Sequence, residues 1–332
     1  MVRIEETTSK VNKRHTAFRW ILGLIIAAIV IGEPLLIWPV FKKLSGKGIN
    51  WRAWRASYRE LNLPVPPSGE PRDGIWGSRL EPLRNPVLGP ILPERHLPGM
   101  LEIDQYGRQS AVSHAAPRAH LLIIGGSVAA GAYASNLNRT YFSQLAWRLE
   151  DLGWPVRITV QAAGSWVSIN ELKALELYGE SIRPDVVIFL DGLNDITQFP
   201  ERRDRLGGYL KRLRQARDWC LARGMKVVFA PQPFLPQKKR KTTLEMIIQA
   251  ESTRGKLDPL IKDYTALRAG LQALAIPGKA YYMDCSGAFD QVPVTTFSDI
   301  WHFADPGHAL LARHMAKKLA PILRQASPAQ SN

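Results

Sequence analysis

A serine, an aspartate and a histidine stand where they could act as a nucleophile, an orienting acid and a base. Ser127 follows two glycines and the apolar run 121–124, and Asp299 lies three residues before His302, just ahead of the predicted last helix. A nucleophilic serine needs a base to take its proton and an acid that orients this base. One loop could thus supply both partners of Ser127.

Two further positions could bind the oxyanion that forms when a nucleophile attacks a carbonyl. Gly164 ends the second predicted strand, where its backbone N–H can point into a cleft, and Asn194 follows the third strand with a side-chain amide. The N–H of Ser127 makes a third donor. Loss of one such donor usually lowers a rate by on the order of a hundredfold or more.

The serine has a structural alternative. Taken alone, Ser127 fits an ordinary strand-to-helix turn with a serine N-cap equally well. Ser165 is a weaker candidate nucleophile because it follows its strand without a second preceding glycine.

A second Asp-x-x-His pair, Asp305 and His308, competes with Asp299 and His302. Pro306 suits the first position of a helix. We therefore expect Asp305 to be the N-cap of the last helix, with His308 in its first turn, and favour Asp299 and His302 as the chemical pair.

Strands and helices are predicted to alternate from residue 100 onward. We predict edge strands around 101–110, strands at 121–124, 156–161, 186–190, 226–230 and 280–284, and helices at 141–152, 166–179, 208–222, within 243–274 and at 306–324. This alternation is typical of a doubly wound, mostly parallel sheet with helices on both faces. Such a sheet brings the candidate residues to the carboxyl edge of its strands.

Four short blocks, each after a predicted strand, resemble those of the SGNH (GDSL-type) hydrolases: Gly126-Ser127, Gly164, Gly192-x-Asn194-Asp195 and Asp299-x-x-His302. The resemblance covers residues 118–325. It implies an α/β fold, namely a three-layer α/β/α sandwich of flavodoxin type with a mostly parallel, five-stranded sheet. It also implies hydrolysis or transfer of acyl esters, without a metal or other cofactor.

The same resemblance assigns roles to the candidate residues. Ser127 would be the nucleophile, His302 the general base and Asp299 its orienter. Gly164 and Asn194 would be oxyanion donors. Four blocks in this order favour the nucleophile over the simple N-cap at Ser127.

Gly126 departs from the family pattern, and the α/β-hydrolase fold is an alternative interpretation of the same triad order. Gly126 stands where the family name quotes an aspartate, so we expect Ser127 to be held less rigidly. The α/β-hydrolase fold also orders its triad as Ser, Asp and His. Its Gly-x-Ser-x-Gly elbow would, however, need a glycine at Ala129.

The N-terminal part contains an apolar segment at residues 20–41, with Glu33 as its only charge. It is long enough to span a bilayer, Trp20 and Trp38 lie near its ends, and basic residues flank it. We predict a short basic head at 1–19 and a single-pass transmembrane anchor at 20–41. A cleaved signal peptide is the alternative, but no small-x-small cleavage site follows.

Residues 42–99 are predicted to connect the anchor to an SGNH hydrolase-like domain at 100–325, and a polar tail follows at 326–332. A helical spacing of apolar residues fits a helix on the membrane surface or one packed on the domain: Trp51, Trp54, Tyr58 and Leu61. Prolines recur between residues 63 and 98 and exclude long regular structure. We expect residues 63–98 to form an extended spacer or to run across the surface of the domain.

Charge and cysteine usage narrow the function classes. The net charge is +15, but seven of these positive charges belong to residues 1–60, and the rest lacks the aromatic and basic interleaving of RNA-binding modules. We therefore expect no nucleic-acid partner. Cys220 and Cys285 lack metal-ligand spacing. The basic run 238–241 is expected to be a solvated loop.

These observations predict a membrane-anchored enzyme with its domain outside the cytoplasm. Its expected substrate is an O-acylated cell-envelope or exported glycan. A lipid ester is the second candidate, because a surface helix would bring the cleft near the bilayer. A non-catalytic glycan-binding protein is the alternative from another class.

Overall fold

Strands and helices alternate along most of the chain in the computed structural model, which describes residues 55–63, 82–98, 101–197, 205–253 and 257–325. The predicted head, anchor and tail lie outside these ranges. Among the described residues, no helix combines the length and the apolar character needed to cross a bilayer.

The elements follow one another closely. The strands are β1 (Leu83–Asn85), β2 (Gly89–Ile91), β3 (Arg95–Leu97), β4 (Leu101–Ile103), β5 (Arg108–Val112), β6 (Ala119–Gly125), β7 (Val156–Ala162), β8 (Val186–Asp191), β9 (Lys226–Pro231) and β10 (Ala280–Tyr282). The helices are α1 (Tyr141–Asp151), α2 (Ser168–Ile182), α3 (Leu193–Thr197), α4 (Arg205–Leu221), α5 (Thr243–Thr253), α6 (Leu257–Ala273) and α7 (Asp305–Arg324). Residues 55–60 are helical as well.

The main sheet has the strand order β10-β9-β8-β6-β7-β5-β4-β3. The first five strands in this order are parallel, and they are the apolar runs expected of strands that are covered on both faces. β6 pairs with both β7 and β8, and its last residue, Gly125, is opposite Ala162 and Leu190. Ser127 therefore follows the central strand at the carboxyl edge.

The prediction of five strands is wrong in number, because this sheet has eight strands within the described residues. β5 pairs antiparallel with β7, and β4 and β3 extend the same edge. The predicted edge strands around 101–110 correspond to β4 and β5. The third antiparallel strand, β3, lies in the proline-rich part, where three exposed residues leave no recognisable pattern.

Helices form the outer layers of the domain. α7 packs against α1, while α4 packs against both α2 and α6. Leucines and a methionine of α1 and α7 join the main core and are fully buried: Leu145, Leu149, Leu311 and Met315. The two helix groups and the sheet together give the α/β/α layering.

The helical segment at residues 55–60 packs on the domain. Tyr58 is 1 % exposed, and Leu61 packs against the main core. Arg55 and Arg59 are exposed on the other side. Of the two alternatives for this segment, its described part therefore fits packing on the domain.

Leu145→Ala is expected to lower the free energy of unfolding by about 2–5 kcal/mol, because it empties a fully buried site. Leu152→Ala is the matched control, since Leu152 follows the same helix and is 44 % exposed. Its expected effect is about 0.5 kcal/mol or less. Urea unfolding of the detergent-solubilised chain, followed by circular dichroism, measures both. Equal losses would contradict the packing of α1.

Candidate active site

Ser127 lies in a tight turn that has no room for a larger residue at its start. A Cβ on Gly125 would collide with the backbone carbonyl of Leu190 in the neighbouring strand β8. The backbone N–H of Ala132 then closes the turn on the carbonyl of Ser127 at 3.0 Å. The close approach of two strands thus determines where the serine leaves the sheet.

Ser127 does not cap a helix. The chain continues in turns after it, and the next α-helix, α1, begins only at Tyr141. The structural alternative of an ordinary strand-to-helix turn is therefore not what the structure contains at this position.

Ser127, His302 and Asp299 come together at the carboxyl edge of the sheet. Ser127 Oγ lies 2.7 Å from His302 Nε2, and His302 Nδ1 lies 2.8 Å from Asp299 Oδ2. With its proton on Nδ1, the ring donates to Asp299 and offers Nε2 as an acceptor for the serine hydroxyl. This arrangement allows His302 to take the serine proton.

The loop that carries Asp299 and His302 is closed on itself. Phe297 and Phe303 form a β-bridge at its base. Asp299 Oδ1 accepts the backbone N–H groups of Trp301 and His302, each at 2.7 Å. Burial opposes ionisation of Asp299, but His302 and these N–H groups outweigh it and hold its pKa below the usual value. Asp299 is therefore an anion at neutral pH.

Asn194 lies directly beside the serine turn. Its Nδ2 donates to the carbonyl of Trp166 at 2.8 Å, which uses one of the two amide hydrogens. A Cβ on Gly126 would lie 2.7 Å from this nitrogen. Asn194 occupies the space that a side chain at position 126 would need. A side chain at position 126 would therefore have to displace the Asn194 amide.

Gly164 lies two residues beyond β7, at the same edge of the sheet. It is half-buried, and no atom lies within 4 Å of the position that a Cβ would take. Ser165 has a φ of 63°, in the left-handed region that serine rarely adopts. The chain therefore bends sharply beside open space. An oxyanion role for the Gly164 N–H stays a prediction.

Asp195 holds the loop of Asn194 from below. Its carboxylate accepts the backbone N–H and the hydroxyl of Ser168 at 2.9 and 2.5 Å, and it accepts Arg212 at 3.2 Å. These contacts link α3 to α2 and α4. Asp195 therefore has a structural role, because its contacts fix the position of the Asn194 loop.

Two more acids lie beneath this loop, and sequence reasoning missed them as a pair. Asp191 and Glu171 are both buried, and Tyr209 donates to Asp191 at 2.7 Å. Burial raises the pKa of Asp191 to about 6. Burial and the neighbouring Asp191 charge raise the pKa of Glu171 well above its usual value. Glu171 is thus the protonated partner. The sequence pattern that could have indicated this pair is an acid at the end of an apolar strand, as at Asp191.

The basic run 238–241 is expected from the sequence to be a solvated loop, but its first residue, Lys238, is buried. It is 2 % exposed, and its Nζ contacts both carboxylate oxygens of Glu245 at 2.8 and 2.7 Å. Glu245 also accepts the backbone N–H and the hydroxyl of Thr296, each at 2.9 Å. A buried ammonium is tolerated when such partners satisfy it. The ion pair therefore fixes the chain just before Asp299.

The competing pair, Asp305 and His308, is buried in a structural role. Asp305 is the first residue of α7 rather than the expected N-cap, which is Ala304. Its carboxylate accepts the N–H and hydroxyl of Ser135 at 2.8 and 2.7 Å. His308 Nδ1 accepts the N–H of Tyr141, and its Nε2 lies 3.0 Å from the carbonyl of Ala132. Burial lowers the pKa of His308 to about 4.

Neither a family model nor a curated protein matches the chain. Among solved structures, a catalytic mutant of an acetylxylan esterase from Geobacillus stearothermophilus is 15% identical and covers 64% of this chain and 96% of its own, with a TM-score of 0.45. The protein TesA is 18% identical and covers 61% and 99%, with a TM-score of 0.47. A lipase/acylhydrolase from Enterococcus faecalis is 17% identical and covers 61% and 96%, with a TM-score of 0.45.

Gly126→Ala is expected to slow the labelling of Ser127 by a fluorophosphonate about tenfold or more, because the methyl group displaces the Asn194 amide. In an Asn194→Ala background the same change should have less than about a twofold effect, since the displaced group is gone. The measurement is a double-mutant cycle of labelling rates for the parent chain, the two single variants and the double variant. Equal slowing in both backgrounds would show that Gly126 acts on Ser127 directly.

His308 is expected to make folding weaker at acid pH. Its pKa is about 4 in the folded chain and 6.5 as the ordinary value, so the unfolded state binds the proton first as the pH falls. Between pH 7 and pH 4.5 protonation of the unfolded state lowers the free energy of unfolding by about 2 kcal/mol. Denaturant unfolding at both pH values should show a smaller loss in His308→Gln by about this amount. Identical losses would contradict a neutral, buried His308.

Proposed function

We propose that this chain is a serine esterase that hydrolyses or transfers the acyl groups of carboxylic esters. The observation that carries the proposal is the 2.7 Å distance between Ser127 Oγ and His302 Nε2, together with the 2.8 Å distance from His302 Nδ1 to Asp299. A hydroxyl bound to an imidazole, which is itself held by a carboxylate, is the arrangement of an activated nucleophile.

In the first half of the reaction, His302 takes the proton of Ser127 while Oγ attacks the ester carbonyl carbon. The negative charge that moves to the carbonyl oxygen is stabilised by the N–H groups of Ser127 and Gly164 and by the Asn194 amide. His302 then gives its proton to the departing alkoxide, and an acyl-serine remains.

In the second half, a water molecule or a sugar hydroxyl attacks the acyl-serine. His302 takes the proton of this nucleophile and returns it to Ser127 Oγ as the acyl group leaves. Water completes hydrolysis, and a sugar hydroxyl completes acyl transfer. The ionised Asp299 stabilises the imidazolium in both halves.

For the substrate we favour an O-acylated glycan of the cell envelope or an exported glycan. The predicted anchor at 20–41, with the domain outside the cytoplasm, would hold the site where such glycans occur. Aromatic rings beside the base support this choice. Tyr133 meets His302 edge to face at 5.1 Å, and the half-buried Trp301 stacks on Phe234 at 5.2 Å. Such rings offer flat apolar area that suits a sugar ring.

A lipid ester has less support than a glycan. That alternative depended on a surface helix that brings the cleft to the bilayer. In the described part of this helix, Tyr58 is buried and Leu61 packs against the core. These two apolar side chains are therefore not available to enter a membrane.

A non-catalytic, glycan-binding protein is the candidate from another class. Binding alone does not require an imidazole aligned between a serine and an ionised carboxylate. The distances at Ser127, His302 and Asp299 therefore favour catalysis over binding.

Ser127→Ala is expected to abolish fluorophosphonate labelling and to lower the hydrolysis of p-nitrophenyl acetate by about 10⁴-fold or more, because the nucleophile is lost. Ser165→Ala is the matched control at the competing serine and should keep stoichiometric labelling. Mass spectrometry of the detergent-solubilised full chain locates the label. A Ser127→Ala variant with undiminished esterase activity would exclude the mechanism.

The glycan preference has its own measurement. Product analysis of the same full chain against acetylated glycans and phospholipid vesicles should show release or transfer of acetate from glycans. Faster release of fatty acid from the vesicles would instead select the lipid ester.

A further inference from the structure

The segment upstream of the α/β domain contacts both ends of the loop at residues 295–305, which we call the acid–base loop. Ser57 Oγ accepts the backbone N–H of Thr295 at 2.9 Å. The hydroxyl of Tyr58 donates to Asp305 Oδ2, also at 2.9 Å. Two adjacent residues of one helical turn thus hold the first and last residues of the loop.

These contacts are buried and satisfied. Ser57, Tyr58, Thr295 and Asp305 are at most 3 % exposed. Without water to replace the lost partner, a removed hydroxyl leaves a buried acceptor or donor incompletely bonded. The loop ends therefore depend on this segment more than an exposed hydrogen bond would allow.

Asp305 also reaches the chain that follows the nucleophile. Its Oδ1 accepts the backbone N–H of Ser135 at 2.8 Å, and its Oδ2 accepts the Ser135 hydroxyl at 2.7 Å. Tyr58 binds the same Oδ2. One carboxylate thus joins the upstream segment, the acid–base loop and the chain after Ser127.

We propose that residues 55–63 clamp the acid–base loop in its working position, with Ser57 and Tyr58 as positioning residues. The Phe297–Phe303 bridge fixes the shape of the loop, whereas the contacts at its ends fix its place relative to Ser127. This inference rests on the proposed esterase function, in which His302 must stay within hydrogen-bond reach of Ser127. A misplacement of about 1 Å can cost about a hundredfold in rate.

The clamp also places the start of the functional domain upstream of residue 100, the predicted boundary. Tyr58 and Asp305 are 247 positions apart in the chain. A domain that starts at residue 100 would lack one partner at each end of the acid–base loop. The segment that follows the predicted anchor is therefore part of the support of the site.

The test uses the full chain in detergent with Tyr58→Phe and Ser57→Ala. Tyr281→Phe is the matched control, because it removes a tyrosine hydroxyl that binds Gln325 at the opposite end of α7. Ser57→Thr keeps the hydroxyl and should rescue the loss. Fluorophosphonate titration counts the active serines, so that kcat for p-nitrophenyl acetate is expressed per competent site. Hydrogen exchange of peptides from 295–305 reports on the loop without any need for activity.

We expect Tyr58→Phe and Ser57→Ala to lower kcat per titrated serine about tenfold, with KM within about twofold, and to speed exchange in 295–305 but not in β8. Tyr281→Phe should change neither quantity. Unchanged exchange would overturn the clamp, and so would faster exchange with unchanged kcat. A parent chain that neither labels nor hydrolyses would instead refute the esterase function, while the exchange data would still decide whether the clamp exists.

Discussion

The hydrogen bond between Ser127 and His302 joins two loops that are 175 residues apart in the chain. A bond of this kind weakens steeply once the distance or angle departs from its narrow range. Neither loop can set this distance alone, because each leaves the sheet from a different place. The surrounding structure therefore has to hold both loops, and much of it can be understood as meeting that requirement.

The serine is held by close packing of backbone. Gly125 lies against the carbonyl of Leu190, and Gly126 leaves its space to the amide of Asn194. The side-chain amide of Asn194, from a neighbouring loop, lies close to the turn at this position. The turn therefore has no room for a side chain at Gly125, where a backbone carbonyl lies close, and little at Gly126, where the Asn194 amide lies close.

The histidine is held by buried polar groups. Glu245, paired with Lys238, accepts the N–H and hydroxyl of Thr296 before Asp299. The carboxylate of Asp305, three residues after His302, accepts from Ser135 in the chain that follows Ser127. Buried ion pairs add little net stability, because desolvation offsets most of their attraction. Their value here is positional: a carboxylate that must satisfy several donors at once tolerates few arrangements. The requirement to position the loop of His302 explains why these charged groups are buried despite the free energy that their desolvation costs.

The buried polar groups also divide the acids into two electrostatic classes. Asp299 has partners that favour its anion, so its pKa is lowered. Glu171 is buried next to Asp191 and has its pKa raised. The charged form is therefore favoured at Asp299, beside the imidazole, and the protonated form is favoured at Glu171, under the Asn194 loop. A carboxyl group thus orients the imidazole at Asp299 and is a buried packing group at Glu171.

The amino-acid sequence by itself determined the parallel strands and the alternation with helices, because buried parallel strands are short apolar runs. It also determined the position of Ser127, because the apolar run before it stops at two glycines. The spacing of Asp299 and His302 is likewise local, so it could be read directly. Only the tertiary structure decided that Lys238 is buried and that Tyr58 reaches Asp305. The third antiparallel strand, β3, was also decided at this level. In each case the partner lies far along the chain or is a backbone group, and a side-chain pattern records neither.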